Sequence, residues 1–180
     1  MSLLPLKKQN QYPNNISVKD AGIVLMNNYI PMLFERLKLT DKYEFPSIQS
    51  QHQATKVLHY LVTGNSIDQQ DQLPLIKVIC DLVPSEQIDP LPAIPENDKE
   101  LIDDVTTAMI KNWPAIESSS IKTLRENWLV RDAFLTEKEH QWELRIENRP
   151  YDTLIRQSPF SFSIIKYPWM KKALHVYWRF

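Results

Sequence analysis

A chain of 180 residues, 43% hydrophobic and 10% aromatic, is long enough for one packed domain and too apolar for global disorder. A formal net charge of −1 argues against a partner gripped by charge over the whole surface. Only two glycines, Gly22 and Gly64, leave almost no room for a phosphate-cradling loop.

One cysteine, Cys80, excludes an internal disulfide and fits a reducing compartment. No run reaches the ~18–20 apolar residues of a membrane span, and the first ten residues turn polar too soon for a signal peptide. A cytoplasmic protein with no membrane partner is expected. The charge is uneven. Residues 1–119 hold 10 Lys/Arg against 15 Asp/Glu, a balance of −5, whereas residues 120–180 hold 11 against 7, a balance of +4. That permits a basic face on the C-terminal part but falls short of the stripe expected of a nucleic-acid binder.

In chain order, residues 1–15 are polar, with Pro5 and Pro13, and predict a flexible lead to one domain over 16–180. Ile16–Val18 fits a very short strand or an extended run. Asp20 is placed as a cap for a helical stretch over 21–37, where Ile23, Met26, Ile30, Leu33, Phe34 and Leu37 form one apolar stripe. Pro31 predicts a break near Tyr29 and a second helical start. A helix over 50–63 is expected to bury Ala54, Val57, Leu58, Leu61 and Val62, with Gly64 as its C-terminal cap. Pro74 starts a short central helix over 73–82. Four prolines in 83–95 make an extended connector. Asn97 followed by Glu100 suggests a capping box for a helix that runs to Pro114, and Ser118–Ser120 cap a last helix ending near Val130.

Beyond residue 130 the periodicity changes to two. A strand over 131–136, a charged hairpin tip at 136–140, and the alternation of Trp142, Leu144 and Ile146 with Glu143, Arg145 and Glu147 predict a half-buried hairpin. Pro150 opens one or two helical turns. Phe160, Phe162 and Ile164 alternate again, Tyr167–Met170 make a turn, and Leu174–Trp178 form a final strand. The expected fold is α+β, a mainly helical body (16–130) followed by a small C-terminal antiparallel sheet (131–180). Trp142 and Phe162 are expected inside, and Trp169 partly exposed.

Residues able to carry chemistry are few. His52 and His59, seven apart, share a helix face, but zinc wants three or four converging ligands and no Cys/His spacing supplies them. Cys80 sits in an apolar helix as a small hydrophobe. The acidic run Glu96, Asp98, Glu100, Asp103 and Asp104 suits the positive end of a helix dipole. No catalytic residue, metal or cofactor is assigned. The C-terminal arginines, lysines and aromatics point instead to a protein interface, because Glu143, Glu147 and Asp152 interleave with the cations and disfavour nucleic acid. The candidates for that interface are Arg149, Tyr151, Lys166, Trp169, Tyr177 and Trp178.

Several stretches share an order and spacing. They are Asp20–Leu25, Tyr29–Leu37, Ala54–Gly64, Leu75–Leu82, Asn112-Trp-Pro-Ala115, Leu124–Glu126, Arg149-Pro-Tyr-Asp152 and Ser163–Met170. Together they resemble the C-terminal region of the tape-measure proteins of contractile injection systems, phage-tail-like particles built of tube, sheath and baseplate. The resemblance spans roughly residues 16–178. It implies a structural role in setting tube length, without catalysis, and partners among baseplate, spike or tube proteins. Members of that family are typically much longer, and a helix advances only ~1.5 Å per residue. The chain is therefore expected to be either the C-terminal domain of such a protein or a short relative with an anchoring role. A general protein-binding or cargo-adaptor module using the same C-terminal surface is the alternative.

Overall fold

The computed structural model describes residues 14–68, 71–90 and 92–180. The flexible lead expected over 1–15 lies, up to residue 13, outside them. From Asn15 the chain is already a strand, β1 (Asn15–Val18), which leads into a 3-10 segment, Ala21–Met26. All six residues of that segment are buried. Asp20 precedes it but makes no side-chain cap bond. Pro31 acts as anticipated, falling in the first turn of α1 (Ile30–Arg36), where a missing N–H does no harm.

The helix α2 (Ile48–Thr63) is fixed at both ends. The Ser47 hydroxyl accepts the Ser50 N–H at 3.2 Å, and Gly64 closes it in the left-handed region at φ 74°. Arg125 reinforces that end from a distance. Its Nε donates to the Leu61 carbonyl at 3.0 Å and its guanidinium lies 3.3 Å from Asp103. Next comes α3 (Pro74–Ile79), short and buried through Leu75–Ile79. Then α4 (Glu96–Lys111) begins one residue before the anticipated box. Pro95 is its cap residue and no side chain caps it, because proline carries no side-chain acceptor. Finally α5 (Ile121–Leu124), capped by the Ser120 hydroxyl, opens directly into a π turn, Arg125–Leu129.

The C-terminal part adds β2 (Ala133–Glu137), β3 (Gln141–Ile146), a 3-10 segment (Pro150–Gln157), β4 (Ile164–Ile165) and β5 (Ala173–Tyr177). The sheet order is β1-β2-β3-β5-β4. The expected purely antiparallel C-terminal sheet is wrong in two respects. First, β3 and β5 pair in parallel, with Leu144 opposite Val176 and Arg145 opposite Tyr177. The chain leaves β3, crosses through the 3-10 segment, and lays down β4. It then turns at Tyr167–Met170 so that β5 inserts between β3 and β4. A parallel neighbour requires such a long crossover, whereas a hairpin permits only antiparallel pairing. Second, the far edge strand, β1, comes from the N-terminal end, with Val18 opposite Ala133.

Strand alternation gives the sheet two faces. Val18, Ala133, Leu135, Trp142, Leu144, Ile146, Ile165, Leu174 and Val176 are buried within one hydrophobic core shared with the helices. Trp113, fully buried, anchors the helical side. Its indole N–H donates to the Leu154 carbonyl at 3.1 Å and its ring lies 4.6 Å from Trp128. Phe160 and Phe162 do not extend a strand, because β4 is only two residues long. They serve as packing instead, Phe160 against Trp113 and Phe162 against Trp178.

Candidate docking face

The six residues singled out from the sequence fall in three different places. Arg149, Tyr151 and Trp178 converge on a buried ion pair. Arg131, 1% exposed, donates from one guanidinium nitrogen to both oxygens of Asp152 at 2.8 Å. Asp152 also accepts the Arg149 backbone N–H at 2.9 Å and the Trp178 indole N–H at 2.9 Å. The Arg131 guanidinium lies 5.0 Å from the Trp178 ring, 5.7 Å from Tyr151 and 5.8 Å from Trp128. The Arg149 side chain and the Tyr151 hydroxyl both reach the Asn127 carbonyl at 3.1 Å. Arg149 also donates to the Val130 carbonyl just past the π turn at 3.2 Å, so the cluster closes a helix terminus and joins it to the sheet.

Lys166 and Trp169 belong to the turn before β5. Lys166 is exposed and donates to the Met170 carbonyl at 3.1 Å. Trp169, expected to be partly exposed, is buried at 9% exposure. Its indole N–H donates to the Ile79 carbonyl at 2.8 Å, and its ring packs on Phe34, Phe45 and Tyr167. An acceptor in reach at the end of α3 is what draws it in. Trp142 and Phe162 are inside.

Tyr177 alone of the six stands on the outer face of the sheet. There the register sets Ser17, Phe134, Arg145 and Tyr177 side by side across four strands, with Thr136, Glu143, His175 and Ile164 in the next row. Phe134 is 48% exposed, Tyr177 47% and Ile164 58%. Arg145 stacks over the Tyr177 ring at 4.7 Å and pairs with Glu143 at 3.1 Å. Phe134 was not singled out from the sequence, and Ile164, expected to alternate in phase with Phe160 and Phe162, points outward while Ile165 takes the buried place.

A second concavity, about 660 Å³, lies between α2, the segment after it, and the proline-rich connector. Lys56 donates to the Pro92 carbonyl at 3.1 Å and Lys77 to the Pro84 carbonyl at 3.3 Å. Burial pulls both lysine pKa values down, opposed by Asp89 at Lys56 and by Glu86 at Lys77. His52 Nε2 lies 3.2 Å from Glu86, and its Nδ1 accepts the Asp89 N–H at 3.1 Å. His59 is 3.5 Å from Asp71, and burial holds it below the usual imidazole range. Lys56, Lys77 and His52 therefore fasten the connector to the helices. Among the described residues no three His, Cys, Asp or Glu side chains are grouped to hold a metal ion. Burial pushes the Cys80 thiol up to about 12, which keeps it protonated and unreactive. No helix among the described residues is long and apolar enough to cross a membrane.

The interior is thus closed by aromatics and one ion pair, and what the sheet offers outward is a flat mixed apolar and polar face. The sequence profile for the contractile injection system tape measure protein matches residues 5–178, and the chain belongs to that family. Neither the comparison with curated proteins nor that with solved structures gives a significant match.

Proposed function

We propose that the chain is an assembly part of a contractile injection particle that docks onto a tube, baseplate or spike protein through the outer face of its sheet. Membership of the tape measure family supports the setting. The observation that carries the docking is the row Phe134–Arg145–Tyr177, with Ile164 beside it. Three large apolar side chains, each about half exposed, stand on a face that no described element covers. Exposed aromatics beside an arginine are the usual composition of an interface centre. Assembly takes place in the cytoplasm. Trp169 and Trp178, candidates from sequence, are buried and take no part in this face.

Purified chain mixed in turn with tube, baseplate and spike proteins of its own particle tests the reading. A complex with one of them, weakened at least about tenfold by Phe134→Asp, is expected. Absence of a complex with any of the three, from protein shown to be folded, would count decisively against it.

A further inference from the structure

The parallel pairing of β3 and β5 has a chemical consequence, since both strands finish on the same side of the sheet. Beyond the last paired residues, Arg145 and Tyr177, the chain forms a groove of about 550 Å³. It is lined by Arg145, Ile146, Asn148, Tyr177, Trp178 and Arg179. Two guanidinium groups line it and no carboxylate does. Arg145 is already held by Glu143 and by the Tyr177 ring, which fixes its position. Arg179 is exposed and has no ion pair among the described residues. An aromatic ring between two arginines, of which Arg179 has no carboxylate partner among the described residues, therefore offers a free guanidinium beside an apolar surface.

We infer that this groove takes a carboxylate-bearing segment of a partner protein, an acidic side chain flanked by an apolar one. Guanidinium groups recognise carboxylates through paired N–H donors, and the apolar neighbour of the acid finds the Tyr177 ring. Continuity with Phe134, next in the row beyond Arg145, extends the contact along the face. Charge complementarity favours a short acidic motif over a polyanion. A nucleic acid needs a basic stripe along its backbone, and here Glu143 stands in the same row as Thr136 and His175. The inference names the partner chemistry of the docking face proposed above and rests on that reading only for where the partner comes from.

The test uses the full chain and a fluorescent peptide of alternating glutamate and leucine, with its glutamine counterpart as control, read by anisotropy. Binding of the glutamate peptide alone, reduced at least about tenfold by Arg179→Glu and unchanged by Lys122→Glu on the far helix, is the expected result. Tyr177→Ser, which alters no charge, should also weaken it. Equal binding of the two peptides, or equal loss in Arg179→Glu and Lys122→Glu, overturns the proposal. So does tighter binding of a single-stranded oligothymidine than of the peptide. Self-association of the chain that Arg179→Glu abolishes assigns the groove to a second copy and likewise overturns it. If the peptide fails while the particle proteins still bind Arg179→Glu, the groove falls and the docking function stands. If the peptide binds as expected while no particle protein does, the reverse holds.

Discussion

Arg131 and Asp152 face each other at 2.8 Å in the interior, and both are at most 2% exposed. Removing water from both charges is expensive, so their value lies in mutual compensation rather than in net attraction. Asp152→Ala should cost about 3–5 kcal/mol, because it strands the guanidinium and leaves the Trp178 and Arg149 N–H groups without an acceptor. The double variant Arg131→Met with Asp152→Leu should lose clearly less than the sum of the two single losses. Urea unfolding of wild type, Arg131→Met, Asp152→Leu and the double variant measures this. Additive losses would mean that the two residues do not act as a pair.

A Cβ built on Gly22 would lie 1.7 Å from the Trp128 carbonyl oxygen. Both groups are backbone, so neither can rotate away. Gly22→Ala should therefore force the 3-10 segment off the π turn and lower stability by about 3 kcal/mol or more, beyond ordinary overpacking. Gly64→Ala should cost less, about 1–2 kcal/mol, for its left-handed φ and a close approach to a side chain, the Arg125 guanidinium, rather than to backbone. Thermal melts should order the proteins as wild type, Gly64→Ala, Gly22→Ala.

Asp20 is buried, and burial first, with Asp71 adding to it, raises its carboxyl from 3.8 to about 7 against the lowering effect of its own backbone N–H. The folded state thus holds this proton more tightly than the unfolded chain does. The resulting stability is fully present below about pH 4 and is lost as pH rises to about 7. Asp20→Asn cannot ionise. Its stability relative to wild type should grow from about pH 4 to about pH 7 and then level off, with a total on the order of a few kcal/mol. Unfolding free energies at a series of pH values give the difference curve, and a curve flat in pH would refute the assignment.

Trp169 and Tyr177 should behave as opposites. Trp169→Ala removes a ring from a packed site and a donor from the Ile79 carbonyl, and should cost about 3–5 kcal/mol. Tyr177→Ser, on the uncovered face, should change stability by no more than about 0.5 kcal/mol. Partner binding should respond in Tyr177→Ser, whereas any binding loss in Trp169→Ala should follow its unfolding. Denaturant curves together with a binding assay on the same samples separate the two.

Much of the helical part was readable in the residues. The stripes of α1 and α2, the break at Pro31 and the stop at Gly64 are local effects of side-chain period and backbone freedom, and each is where the residues put it. The candidate face was less legible. Tyr177 was named, but Phe134 and Ile164 were not, because one exposed apolar residue in a strand is ordinary until its neighbours on other strands are known. Trp169 and Trp178 were taken for surface because aromatics beside cations look alike whether they meet a partner or a core. The indole donors decided it, once the Ile79 carbonyl and Asp152 came within reach.

The sequence by itself determined which residues form helices, where most of them start and stop, and which phase of β3 is apolar, but not the phase of β4, where Ile164 and Ile165 are both apolar. All of these depend on contacts a few residues apart. The tertiary structure alone decided that β5 runs parallel to β3, that β1 closes the far edge, and that Arg131 meets Asp152. Strand period carries no information about the direction or identity of a neighbour. Those follow from where the crossover over 147–172 can pack, and only the assembled core sets that.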